Sequence, residues 1–306
     1  MTIPPQPNVT WRCALPELGI LAFGGQDAAT FLQGQTTNDV RQVTAQQGQI
    51  NAICTPQGRV IANFMLFRHN GELCALLPQE LLPVVQQHLQ KYVLRADVRM
   101  RTTAVATVCV RAATTPPGWP ERSATGSHVV LTEDSAPILR LPAPFPLFFA
   151  LPPEAANLPS WLANAIETTA TEGTDWLVQA GIPWVTAATR EAFTPQMLNL
   201  PALGAVSFNK GCYTGQEVVA RTHYLGKAKR RMYLARMDSV TGCPPTPGAE
   251  VYNPEGKVAG EVVLAGKEQI LAVLHDAMAD GPLHLAGGNA LTLLPLPYAV
   301  DEGNST

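Results

Sequence analysis

Ser207-Phe208-Asn209-Lys210-Gly211-Cys212-Tyr213-Thr214-Gly215-Gln216-Glu217 sets one cysteine between two glycines, with a lysine two residues before it and a carboxylate five residues after. A glycine inside a helix or strand weakens it by roughly 0.5–1 kcal/mol relative to alanine. Glycines at 211 and 215 therefore mark a turn or a close backbone approach. An ammonium group beside a thiol favours the thiolate, the reactive form, so Cys212 is a candidate nucleophile or transient sulfur or iron ligand. A cysteine in a tight turn is as often a small buried hydrophobe. Composition and spacing leave those two readings level.

On the C-terminal side, 218–221 is helix-like, and Glu217 then serves as a first-turn carboxylate complementing the helix dipole. The stretch 221–231 holds Arg221, Lys227, Lys229, Arg230 and Arg231 with no acidic residue, and His223 and Tyr224 lie among them. Such a run tracks phosphates and stacks a base, meets an acidic partner, or is a solvated face. Beyond it, short apolar runs at 232–237, 250–252, 258–264, 270–274 and 290–294 alternate with Gly, Pro and Asn turns. That rhythm predicts a small β-barrel or sandwich.

On the N-terminal side, 160–169 and 174–180 read as helices, and Trp176 and Trp184 flank the turn at 179–183. The region 116–159 is loop-rich, with strand candidates at 129–131, 138–141 and 147–151. Earlier still, 18–23, 50–54, 60–67, 73–77 and 105–110 read as strands. A helix opens at 26–27, and 80–94 is amphipathic. Mixed strands and helices in this order make the fold class α+β.

The bulk numbers agree with a folded, water-facing chain. Of 306 residues, 46% are hydrophobic and 15% charged, which argues against disorder. The net charge of −3 provides no global field for nucleic acid or an anionic membrane. The closest two of the six cysteines, Cys54 and Cys74, lie twenty residues apart, so no zinc or iron–sulfur ligand spacing exists and no metal site is expected. The start of the chain lacks a signal-peptide pattern, and the most apolar stretch, 141–151, is broken by three prolines. A reduced, cytoplasmic protein without a membrane partner is the expectation.

The motif K-G-C-Y-x-G-Q-E at 210–217 resembles the signature of the YgfZ-type proteins, bacterial folate-binding relatives of the glycine-cleavage T-protein, an aminomethyltransferase. Its flanks are similar too, at Phe193-Thr194-Pro195-Gln196, 199–204 and Val218-Val219-Ala220-Arg221. So are Phe31-Leu32-Gln33-Gly34-Gln35 with Asn38-Asp39-Val40 near the start, and Leu294 to Tyr298 near the end. The likeness thus covers nearly the whole chain. It implies a T-protein-like arrangement of three domains around a central folate opening. The expected regions are 1–110, α+β with a ferredoxin-like subdomain; 111–229, α+β and carrying the motif; and 230–306, the barrel, with the first two open to interleaving.

The same resemblance implies tetrahydrofolate or a derivative as cofactor, held by Lys210, Gly211, Tyr213, Gly215, Gln216, Glu217, Arg221 and Trp176, with Cys212 and Lys210 in the chemistry. It further implies a role in assembling or repairing iron–sulfur enzymes, and through them in tRNA modification. The partners would be iron–sulfur assembly proteins or client iron–sulfur enzymes, with tRNA met indirectly. The T-protein carries an Asp-Asp pair where this chain has Ala62 and Asn63, and neither can act as an ionised base. Two rivals stand beside this reading: a one-carbon transferase, and a non-catalytic adaptor binding tRNA or protein through 221–231.

Overall fold

A computed structural model describes residues 9–103, 105–115, 128–133, 136–152, 162–226, 228–239 and 243–300. In chain order the elements are β1 (Thr10–Ala14), β2 (Leu18–Gly24), α1 (Ala28–Gln33), β3 (Gln47–Cys54), β4 (Val60–His69), β5 (Glu72–Pro78), α2 (Leu82–Gln90), β6 (Arg99–Thr103), β7 (Val108–Ala112), β8 (His128–Glu133), β9 (Ala136–Arg140), β10 (Leu147–Ala150) and β11 (Ile166–Glu167). Then follow α3 (Ala170–Gln179), α4 (Gln216–Tyr224), β12 (Arg230–Met237), β13 (Glu250–Tyr252), β14 (Val258–Ala265), β15 (Gln269–His275), α5 (Asp276–Ala279), β16 (Leu283–Leu285) and β17 (Ala290–Leu294).

The first eleven strands form one sheet, in the order β11-β1-β7-β10-β9-β8-β3-β4-β5-β2-β6, and the last six close a barrel, β12-β15-β14-β13-β16-β17. The barrel expected from the turn rhythm after residue 230 is therefore present. Strand β7 spans residue 110 and pairs with β1, so the beginning of the chain and the segment after residue 107 share one sheet. Phe149 and Cys109 pack into the main core, while Phe148, Ala150, Val108 and Val110 pack on the other face. Burial on both faces explains why 147–150 and 108–110 are unbroken apolar runs rather than alternating ones.

Two expectations are corrected. The helix read at 160–169 is absent from its described part, where Ile166 and Glu167 pair in parallel with Trp11 and Arg12. The helix that follows starts instead at Ala170, because Thr169 accepts from the Glu172 amide and Glu172 reaches back to the Thr169 amide. The amphipathic stretch at 80–94 is helical only to Gln90 and opens with a 3-10 turn at Gln79–Leu81. Among the described residues no helix is long and apolar enough to cross a membrane.

Candidate functional site

Helix α1 is only six residues long; its Phe31 and Leu32 carbonyls accept from the amides of Gly34, Gln35 and Thr36. The buried ammonium of Lys210 takes the Gln33 carbonyl and two beyond the helix. Its Nζ donates to the carbonyls of Gln33 (2.7 Å), Thr36 (2.6 Å) and Asn38 (2.9 Å). A lysine at a helix C-terminus also complements the negative end of the dipole. An ammonium has three donors, and all of them are used here. Lys210 thereby joins the motif to the exit of α1. Burial pushes its pKa down to about 8, with Asp39 raising it and Arg41 lowering it to lesser degrees. Asp39 is in turn held at about 2, first by its hydrogen bonds to the Arg41 guanidinium, at 2.8 and 2.7 Å.

More stitches run between the same two segments. Thr37 Oγ1 donates to the carbonyl of Ala205 (2.7 Å) and accepts from the amide of Ala52 (2.9 Å). The Ser207 amide donates to the carbonyl of Thr37. Asn38 Nδ2 donates to Gly204 (2.7 Å) and Ile50 (3.0 Å), and its amide donates to Asn51 Oδ1 (2.9 Å). The two sequence motifs that lie some 170 residues apart are thus one structural unit, built against the edge of β3.

Past Lys210 the chain turns outward. Gly211 and Cys212 are exposed, and Cys212 is a free thiol. Tyr213 turns back in; its ring centroid lies 5.0 Å from Lys210 Nζ, and burial raises its phenol pKa. Gly215 caps α4 at φ +85°, where a side chain would press on the Thr55 carbonyl and come within 3.2 Å of Cys54 Cβ and Gly58 Cα. Only glycine takes that left-handed position without strain. Gln216 and Glu217 then start α4, and the exposed Glu217 is a first-turn carboxylate, the alternative the sequence had offered for it. Along α4 the His223 ring stacks on Phe208 at 3.7 Å, and Tyr224 meets both edge-on.

The remaining candidates divide. Arg221 and Lys229 are exposed, but Arg230 Nε bonds His275 Nε2 (2.7 Å), and Arg231 Nε bonds the Tyr233 hydroxyl (2.8 Å) beside Asp276. Lys227 lies outside the described residues. Trp176 is buried on α3 in the main core.

Sequence reasoning missed the polar groups of the sheet interior. Asn63 is 2% exposed and bridges a loop: Nδ2 donates to Pro183 (2.8 Å), and Oδ1 accepts from the Val185 amide (2.8 Å). It thereby fixes Trp184, whose buried indole N–H has no protein partner. Gln49 Nε2 and Asn51 Nδ2, two positions apart on β3, are likewise buried donors without one. Buried donors normally have an acceptor. The register Ala52↔Asn63 sets Gln49 and Asn51 on the face of the sheet opposite to Asn63 and the loop it holds. The available signal was an amide set among apolar neighbours, as in Ile50-Asn51-Ala52 and Ala62-Asn63-Phe64. Among the described residues no three His, Cys, Asp or Glu side chains gather as a metal site.

No protein-family model matches the chain. Curated relatives do. The tRNA-modifying protein YgfZ of Hamiltonella defensa is 30% identical over 289 residues, which cover 89% of this chain and 86% of the relative. That of an Enterobacter species is 30% identical over 315 residues, covering 94% and 93%. That of Cronobacter sakazakii is 29% identical over 314 residues, with the same coverage. Among solved structures, the glycine cleavage system aminomethyltransferase T of Bartonella henselae superposes with a TM-score of 0.67 at 13% identity, over 97% of this chain and 88% of that one. The chain thus has the T-protein fold.

Proposed function

The chain belongs to the YgfZ family, and from that premise we propose that it binds tetrahydrofolate or a derivative and supports the assembly or repair of iron–sulfur enzymes that modify tRNA. One observation carries the reading. The exit of α1 and the motif around Cys212 are locked together through Lys210, which leaves an exposed free thiol on a fixed turn. Cys212 is the residue proposed to handle sulfur or an iron–sulfur cluster received from, or passed to, a partner. Lys210, Tyr213 and Gly215 act as positioning residues for that turn.

Tetrahydrofolate is proposed to meet the unpartnered donors of Gln49 and Asn51, which share one face of β3 beside the exit of α1. Their N–H groups match the acceptor edge of a pterin ring, which such donors orient by hydrogen bonds. When bound, the folate would supply one-carbon or redox chemistry at its ring nitrogens. Gln216 and Glu217, which start the helix next to Cys212, and Arg221, in its last turn, stay proposed as contacts for its outer part. A one-carbon transferase needs a carboxylate base, and Asn63, bonded at both amide atoms, is a poor substitute.

The test is a Cys212→Ala strain compared with wild type for the thiolated nucleosides of its tRNA, measured by mass spectrometry. The proposal expects thiolation to fall while the purified variant keeps its melting temperature. Unchanged thiolation would remove Cys212 from the mechanism.

A further inference from the structure

At the end of the sheet where β2, β5 and β6 meet the start of α1, a cleft of about 520 Å³ opens. Small residues line part of it, Gly24, Gly25, Ala28 and Ala29, together with Arg68, Arg99 and Arg101, the first on the opposite face of the sheet from the two on β6. Its wall is held in place. Gly25 adopts φ +101° against the Asp97 carbonyl; the Asp97 amide donates to Asp27 Oδ2 (2.8 Å), and the Gln26 amide to Asp97 Oδ2 (3.1 Å).

Strand β6 is the last of the sheet. Arg99 and Arg101 stand two positions apart on it, about 7 Å along the strand, and are 80% and 60% exposed. Exposed Lys91 and Arg95 extend the charge along the connection from α2, beside Tyr92 (38% exposed) and Leu94 (86%). Arg68, Arg99 and Arg101 line the cleft with Glu72, and Asp27 and Asp97 stand in its wall; Lys91 and Arg95, on the connection that leads into β6, add two further cations.

We propose that this cleft and its basic rim bind the phosphodiester backbone of an RNA. The existing partners of the arginines yield readily. Arg101 pairs with Glu72, Arg99 lies 4.0 Å from Asp97, and Arg68 Nε donates to the Val43 carbonyl. Exposed ion pairs hold weakly, whereas a guanidinium matches a phosphate with two parallel bonds. The cations extend past the cleft along the α2–β6 connection, more than one small phosphate ester requires. Tyr92 adds an exposed ring on which a base can stack. The 221–231 segment is the poorer candidate, because Arg230 and Arg231 are already engaged on the barrel. The proposal adds a direct RNA contact to the function above and does not depend on folate or on Cys212.

The experiment is fluorescence anisotropy of the full-length protein with a labelled, unmodified tRNA transcript between about 50 and 200 mM salt. Wild type is compared with Arg99→Ala/Arg101→Ala, with Arg99→Lys/Arg101→Lys, and with Arg221→Ala/Lys229→Ala, all checked for unchanged melting temperature. Each lost phosphate contact lowers the log–log salt slope by about 0.7–0.9. The alanine pair in the cleft should therefore flatten the slope by about 1.5 and weaken low-salt binding roughly ten-fold or more. The lysine pair should keep the slope, and the Arg221/Lys229 pair should bind as wild type does. Loss confined to the Arg221/Lys229 pair, or no wild-type binding at low salt, overturns the proposal. So does displacement of the RNA by an equal concentration of a nucleoside diphosphate, which would make the cleft a nucleotide site.

Discussion

Replacing Lys210 with methionine keeps most of the side-chain volume and removes the ammonium from three backbone carbonyls. Hydrogen bonds to a charged group contribute about 1.5–3 kcal/mol each. Against them stands the burial of the charge: a pKa drop from 10.5 to about 8 corresponds to about 3 kcal/mol. At neutral pH the net loss on Lys210→Met is therefore about 3 kcal/mol, within a range of roughly 1–5. The loss also has a pH signature. The folded-state value lies below the unfolded one, so the unfolded chain binds more protons between pH 8 and 10.5 and wild-type stability rises with pH there. Methionine lacks that contribution, so the gap between the proteins widens across the same window, by up to about 1.4 kcal/mol per pH unit. Urea denaturation of both proteins at pH 7, 8.5 and 10 measures it, with m unchanged as the sign of a pure stability effect. A gap under about 0.5 kcal/mol at pH 7, in the range of an ordinary surface substitution, would refute the clamp. A gap that closes with rising pH would refute the assigned direction of the lysine shift.

Gly215→Ala should destabilise by about 2 kcal/mol or more, since a side chain at φ +85° meets the Thr55 carbonyl; an unshifted melting temperature would contradict this packing. Asn63→Asp should not create aminomethyl transfer and should cost about 2 kcal/mol at pH 7, because a carboxylate would face the Pro183 carbonyl. Its pKa would be raised in the folded state, so the penalty should lessen as pH falls through that value and the acid regains a proton to donate; a denaturation series from pH 7 to 4 reads it. Cys212→Ser, at an exposed position, should leave stability within about 0.5 kcal/mol of wild type, and a larger loss by calorimetric melting would indicate a structural thiol.

The legible parts were those in which local chemistry and burial agree. Strands β4, β5, β10 and β15 are apolar runs bounded by turns, and the barrel strands alternate with Gly, Pro and Asn at short intervals. Strand β6, Arg-Met-Arg-Thr-Thr, escaped notice because it is a charged edge, where exposed cations discourage pairing with other chains. Strand β1 carries Arg12 and Trp11 at positions decided by its neighbours β7 and β11 rather than by its own pattern. At the site, Cys212 on a glycine-flanked turn and the start of α4 could be read directly. The role of Lys210 could not, because its partners are main-chain carbonyls 172–177 positions away, and any residue type presents those. The bridging amide of Asn63 was hidden for the same reason: it reads as a missing acid until the loop at Pro183 is seen against it.

The most direct test of folate binding is calorimetric titration of the purified protein with tetrahydrofolate, alongside Gln49→Met, which keeps most of the side-chain volume and removes the unpartnered amide N–H. Wild type should bind with micromolar or tighter affinity and the variant about ten-fold more weakly, as expected for one buried hydrogen bond. No heat of binding with wild type, or equal affinity in the variant, would contradict the placement of folate at these donors.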